Sequence, residues 1–247
     1  MDKKKNSKSK KIRIIKIIIF VIAGTGLLFL LYPSFINTIV GAKQANVLSG
    51  WEVQKETFLK EEIISKDILE DDKKSSEIIK EADSTSIDTY NNDKEIVDYK
   101  DLTAEDFFPL KIRIPKIDLE WIVNEGSDTK TLKEGPGHII ETPLPGDTGR
   151  CTFSGHRTTY GAPFKKIDKF ENGDLIYLET IKGELFIYAV TGLEIVKPKD
   201  VYILEGTDKK ELLLTSCYPE YSAAERIILI SELINRYPLE LASTENK

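Results

Sequence analysis

From Ile17 to Tyr32 no charge interrupts the chain, which reads Ile-Ile-Ile-Phe-Val-Ile-Ala-Gly-Thr-Gly-Leu-Leu-Phe-Leu-Leu-Tyr. Weakly polar residues continue the run to Val40. A stretch this long and this apolar leaves two outcomes, a membrane-crossing helix or a signal peptide. A helix needs about 20 residues to cross a hydrocarbon core of about 30 Å, so residues 17–40 predict a transmembrane anchor. Lys3, Lys4, Lys5, Lys8, Lys10, Lys11, Arg13 and Lys16 precede it against one acid, Asp2. That basic head, residues 1–16, predicts a cytoplasmic N-terminus and an extracellular remainder. Val40-Gly41-Ala42 would be tolerable to a signal peptidase, but the apolar region is long for a cleaved signal. An uncleaved anchor is the stronger reading.

The charge then reverses. Residues 43–106 hold 18 acids and 9 bases, within a chain of 247 residues and net charge −6. Between Trp51 and Glu81, Phe58, Leu59, Ile63, Ile64, Ile68 and Leu69 recur at roughly helical spacing. Ala82 to Asp106 mixes Asp, Ser, Thr and Asn with few apolar groups and can bury little. Residues 41–106 are therefore expected to form an acidic, partly helical stalk and linker, a solvated tether that holds the C-terminal half of the chain off the membrane. The absence of a basic patch beyond the head argues against nucleic acid. Two cysteines are too few for a disulfide framework. Two histidines and no zinc-like spacing argue against a metal site.

From Phe107 the texture changes to short β-type runs bounded by Gly, Pro, Asp and Asn. Strands are predicted near Leu110–Ile114, Leu119–Val123, Cys151–Ser154, Leu175–Thr180, Leu185–Leu193, Leu212–Ser216 and Ile227–Leu233. Thr129–Lys133 and Pro163–Lys169 each suit a helical turn, and Asn172-Gly173-Asp174 a tight turn. Some 130 residues with seven or eight strands suffice for a closed or nearly closed β-barrel over residues 107–238, with a short tail at 239–247.

Three side chains carry the chemistry. Leu212-Leu213-Leu214-Thr215-Ser216-Cys217 is an apolar strand that stops on a thiol, and Tyr218-Pro219 turns the chain at once. Phe153-Ser154-Gly155-His156-Arg157 ends another apolar run on an imidazole, and Arg226 opens the run Ile227-Ile228-Leu229-Ile230. Each has a bland alternative: a buried small hydrophobe for Cys217, a structural histidine for His156, a surface ion pair with Glu225 or Glu220 for Arg226. Together they are a kit for acyl transfer through a thioester. A guanidinium stays charged and offers forked donors to an oxyanion. His138, in Gly135-Pro136-Gly137-His138, reads as structural.

The segments Ser154-Gly155-His156-Arg157-Thr158-Thr159-Tyr160-Gly161-Ala162-Pro163-Phe164 and Leu214-Thr215-Ser216-Cys217-Tyr218-Pro219, with Arg226 behind them, resemble the sortases. These are membrane-anchored cysteine transpeptidases of mostly Gram-positive bacteria. The histidine string looks most like class E, with class D next, and the resemblance covers about Leu110 to Leu233. It implies an all-β fold, an eight-stranded sortase-type β-barrel with short helices. His156, Cys217 and Arg226 would be the catalytic histidine, cysteine and arginine. The groove would be walled by the Lys197–Lys210 loop and floored by Thr215 and Ser216. Tyr160 would contact the second residue of the substrate motif, unless it only packs against Phe164. Cys151 stands where the family has another residue. It lies five residues below the rim, roughly 16 Å at about 3.3 Å per residue. A disulfide needs Cα atoms within about 7 Å, so a buried free thiol is expected.

The resemblance further implies cleavage of an LPXTG-like sorting signal between Thr and Gly, with LAXTG the class E form, and transfer to a cell-wall or pilin amine. The partners would be secreted surface proteins that carry the signal. No calcium-type acidic cluster and no Asp-Pro-aromatic lid are evident, and no metal or cofactor is expected. Reference pKa values of about 8.5 for a thiol and about 6.5 for an imidazole favour the neutral pair near neutral pH. An L,D-transpeptidase would need a Ser-x-Gly-Cys-x-Arg motif, which the chain lacks. A non-enzymatic, membrane-tethered interaction module is the remaining alternative.

Overall fold

The computed structural model describes residues 2–78 and 103–238. Most of the expected linker at 82–106 and the tail at 239–247 lie outside the described residues. A long helix, α1 (Asp2–Ile78), leads into a closed barrel. The barrel strands are β1 (Leu110–Ile114), β2 (Leu119–Glu125), β3 (Gly137–His138), β4 (Gly149–Ser154), β5 (Leu175–Glu179), β6 (Glu184–Val196), β7 (Lys210–Tyr218) and β8 (Glu225–Pro238). They close in the order β1-β2-β3-β4-β7-β8-β6-β5. Two short helices, α2 (Ala104–Phe107) and α3 (Thr129–Glu134), decorate it. Asp128 caps α3 by accepting from the Lys130 and Thr131 N–H groups, which removes two orphan donors of the first turn.

Alternation explains the closure. Leu110, Ile112 and Ile114 of β1 and Leu212 and Leu214 of β7 face one enclosed core with Phe153 and Phe186. Their alternate neighbours face out, as a period of two requires. Seven of the eight strands lie where the apolar runs predict. The eighth, β3, is two residues long and bridges β2 and β4. The Pro163–Lys169 segment is a turn followed by a 3-10 helix at Ile167–Lys169.

A second apolar cluster lies outside the barrel. Leu213 of β7 and Ile228 of β8 pack there with Val196 and Ile203. Ile203 belongs to a 3-10 helix, Val201–Leu204, in the loop between β6 and β7. Arg150 of β4 ties this loop down by donating to the Ile203 carbonyl at 2.8 Å, while its Nε donates to Glu211.

The tether departs from expectation. Residues 17–32 of α1 are predominantly apolar and exposed all round, with Phe20, Leu28, Phe29 and Leu30 among the bare side chains. Arg13–Lys60 includes an 18-residue window of mean hydropathy 2.7, long and apolar enough to cross a membrane. The next turns are not a solvated stalk: they dock on the barrel. Val40, Gln44 and Trp51 are buried. The Trp51 indole N–H donates to the Pro109 carbonyl at 3.1 Å, and the Lys55 and Lys111 ammonium groups sit over its ring. Lys111 pairs with both Glu52 and Glu179 at 2.6 Å.

The reason lies in the sheet edge. β2 pairs with β3 only at Asn124 and Glu125, so its earlier residues need another partner. Gln44 supplies one, accepting from the Ile122 N–H and donating to the Glu134 carbonyl.

Candidate active site

β4 and β7 run parallel and side by side, with Ser154 opposite Thr215. The ladder continues one step further, as the Gly155 N–H donates to the Thr215 carbonyl at 3.1 Å. His156 and Cys217 each stand two residues after that pair, so both leave the barrel at one rim. Cys217 is directly opposite Arg226 in the antiparallel β7–β8 ladder. Imidazole, thiol and guanidinium are thus brought to one end of three adjacent strands, and all three residues are partly exposed.

Thr215 and Cys217 share the outward face of β7 with Leu213, on which Ile203 of the 197–209 loop packs. Ser216 lies on the other face. It is buried, and its hydroxyl donates to the Gly155 carbonyl at 2.7 Å. It cross-links the two strand ends that carry His156 and Cys217. Gly155 has its own reason: a Cβ there would stand 2.6 Å from the Phe164 ring, whose side chain is fully buried against the core.

The loop after His156 turns back on itself, closed by the Phe164 N–H donating to the His156 carbonyl. Within it Tyr160, at φ +51°, sets its ring against the imidazole with centroids 5.0 Å apart. Burial pushes the His156 pKa below the usual imidazole value, and the Lys133 charge adds to that. At the thiol's partner, the Arg226 guanidinium donates to the Ala223 and Glu225 carbonyls.

Arg157 has no signal of its own in the sequence. Its buried side chain pairs with Asp168 at 3.0 Å and lies over the Tyr218 ring. It joins the histidine loop to the residue next after Cys217.

The remaining cysteine and histidine are held away from the rim. Cys151 is a free, buried thiol opposite Leu212, as expected, and burial raises its pKa well above the usual thiol value, with Glu125 and Asp147 adding to the shift. His138 is buried in the wall, with Nδ1 2.9 Å from Glu125, Nε2 3.1 Å from Thr142 and its ring stacked on Phe108. A separate cleft of about 190 Å³ is lined by Leu119, Trp121 and the Gly161, Ala162 and Pro163 side of the loop. None of His156, Cys217 or Arg226 lines it.

A closed barrel with a thiol, a guanidinium and an imidazole at one rim defines a candidate cysteine acyl-transfer fold. Comparison with known proteins gives the family. The sortase domain model matches residues 112–234. Sortase D of Bacillus subtilis is 37 % identical over 109 residues, 44 % of this chain and 53 % of that protein. The solved sortase E of Streptomyces avermitilis is 31 % identical, with 56 % of this chain and 94 % of that one covered and a TM-score of 0.50. Sortase E1 of Streptomyces coelicolor, solved with a tripeptide in the active site, is 26 % identical, with coverages of 57 % and 96 % and a TM-score of 0.52. The chain belongs to the sortase family. It spans about half the length of the curated relatives it matches.

Proposed function

We propose that the chain is a membrane-anchored cysteine transpeptidase that cleaves an LPXTG- or LAXTG-type sorting signal between Thr and Gly. The observation that carries this reading is the parallel β4–β7 pairing, which aligns the positions of His156 and Cys217, with Arg226 opposite the thiol. In the reaction the Cys217 thiolate attacks the threonine carbonyl carbon, and Arg226 holds the resulting oxyanion. The C–N bond to glycine breaks as the His156 imidazolium protonates the leaving amine. A cell-wall or pilin amine then attacks the thioester, gives its proton to His156 and releases the thiolate.

Thr215, on the outward face of β7, would floor the peptide groove. Ser216 would act by holding the two strand ends together, and Tyr160 by bracing the imidazole. Burial and the Lys133 charge lower the His156 pKa, which disfavours a standing imidazolium. The exposed apolar turns of α1 would sit in the bilayer, with the basic head on the cytoplasmic side and the barrel outside. Secreted proteins that bear the signal would be its substrates.

The full chain, assayed in detergent micelles with fluorogenic peptides of both motifs, tests this. Wild type should cleave between Thr and Gly, and Cys217→Ala should abolish cleavage. Turnover that survives Cys217→Ala would refute the reading in favour of another nucleophile. A wild type inert towards both peptides, with Cys217 alkylated no faster than Cys151, would favour the interaction module.

A further inference from the structure

The apolar run of α1 ends beside the histidine loop. Asn37, one turn before the buried Val40, spans the loop's turn with both ends of its carboxamide. Its Nδ2 donates to the Thr158 carbonyl at 3.1 Å, and its Oδ1 accepts from the Gly161 N–H at 2.9 Å. These two backbone groups bracket Tyr160, whose ring lies against His156. Gly161 lets the turn come down this far. At φ +80°, a Cβ on it would fall 2.2 Å from Trp121 and 3.3 Å from Val40 of the helix. Only glycine adopts that conformation in that space without strain.

We propose that Asn37 is a positioning residue for His156: its carboxamide pins the Thr158–Gly161 turn, and the turn holds the Tyr160 ring against the imidazole. The membrane-proximal helix is then part of the working site, not only a leash. This rests on the reading of His156 as the acid and base of a sortase reaction. The geometry suits a positioning role because a side-chain amide that bonds one donor and one acceptor of the same turn fixes it in one register, whereas either bond alone would leave it free to pivot. Proton transfer needs donor and acceptor within hydrogen-bond reach, and misplacement of about 1 Å can cost roughly a hundredfold in rate. Lys133 of α3 and Tyr160 of the loop surround the imidazole, with Cys217 and Arg226 at the adjoining strand ends. The Arg157 charge is directed to Asp168 and Glu220.

The test uses the full chain in micelles with Asn37→Ala, the size-matched Asn37→Leu, and Asn37→Asp, which keeps the acceptor for Gly161. Two readouts are taken: turnover of the sorting peptide, and NMR titration of His156. Loss of the latch should lower kcat roughly tenfold to a hundredfold while KM stays within about twofold. The His156 midpoint in Asn37→Leu should move up as the freed ring gains solvent, and the kcat of Asn37→Asp should fall between those of wild type and Asn37→Leu. An unchanged His156 titration in Asn37→Leu overturns the proposal, and so does a lower melting temperature with kcat and titration unmoved. A wild type inactive on the peptide would count against the proposed cleavage instead, and the titration would still decide the role of Asn37.

Discussion

Replacing Trp51 by alanine should open the seam between helix and barrel. Trp51 is 2 % exposed, donates its indole N–H to Pro109 and lies beneath two ammonium groups. Truncation of a buried tryptophan costs about 3–5 kcal/mol. Each 1.4 kcal/mol is about a factor of ten, so the population of undocked helix should rise by about two to three and a half orders of magnitude. The Ile122 amide reports this directly, because its N–H is held by Gln44 of α1. Native-state hydrogen exchange of the full chain should show Ile122 faster by that factor. The amides of Leu213 and Leu214, in a strand flanked by β4 and β8, should exchange as in wild type. If Ile122 and β7 accelerate together, Trp51 supports the whole barrel and no separable docking exists. If neither changes, the helix is held elsewhere and the reasoning fails.

Lys133→Gln removes a charge that lowers the His156 pKa. The pKa then rises, the imidazolium survives to higher pH, and the fraction carrying both thiolate and imidazolium grows. The acid limb of the kcat/KM profile should move up and activity at neutral pH should increase; a limb that moves down or stays would contradict the assignment of that limb to His156. Ser216→Ala strips the bond between the two strand ends and leaves the Gly155 carbonyl unpaired, at a cost of about 1–3 kcal/mol. Thermal melting should drop by about 2–4 °C per kcal/mol and kcat should fall more than KM rises, whereas a change in KM alone would make Ser216 a wall of the peptide groove.

The barrel is legible in the sequence because its strands announce themselves through alternation and punctuation. Leu110–Ile114 agrees residue for residue with the apolar run, since Pro115 ends it. β3 is not legible: two residues in Pro-Gly-His carry no period, and the strand exists only because β2 and β4 flank it. The candidate site residues can be proposed from the sequence because strand ends are visible in it. Their meeting depends on β4 and β7 being neighbours, which no local pattern encodes. Ser216 shows the limit of reasoning from adjacency, since a position next to Cys217 is on the opposite face. The docking of α1 is hidden for a physical reason. Its charges face partners far along the chain, such as Lys55 to Glu179, and mixed Glu and Lys residues look the same whether solvated or paired. Asn37 carries no motif, and only its carboxamide's fit to a distant turn marks it.

Parallel neighbours have a use that a hairpin would not. Because β4 and β7 point the same way, the chain between them must cross back to its starting end, and it does so through β5, β6 and the loop at 197–209. Insertions, deletions or a new recognition element can be absorbed in the 197–209 loop while the spacing of sulfur and nitrogen stays set by the ladder below. Selectivity can therefore diverge between proteins of this fold without disturbing the thiol and imidazole positions.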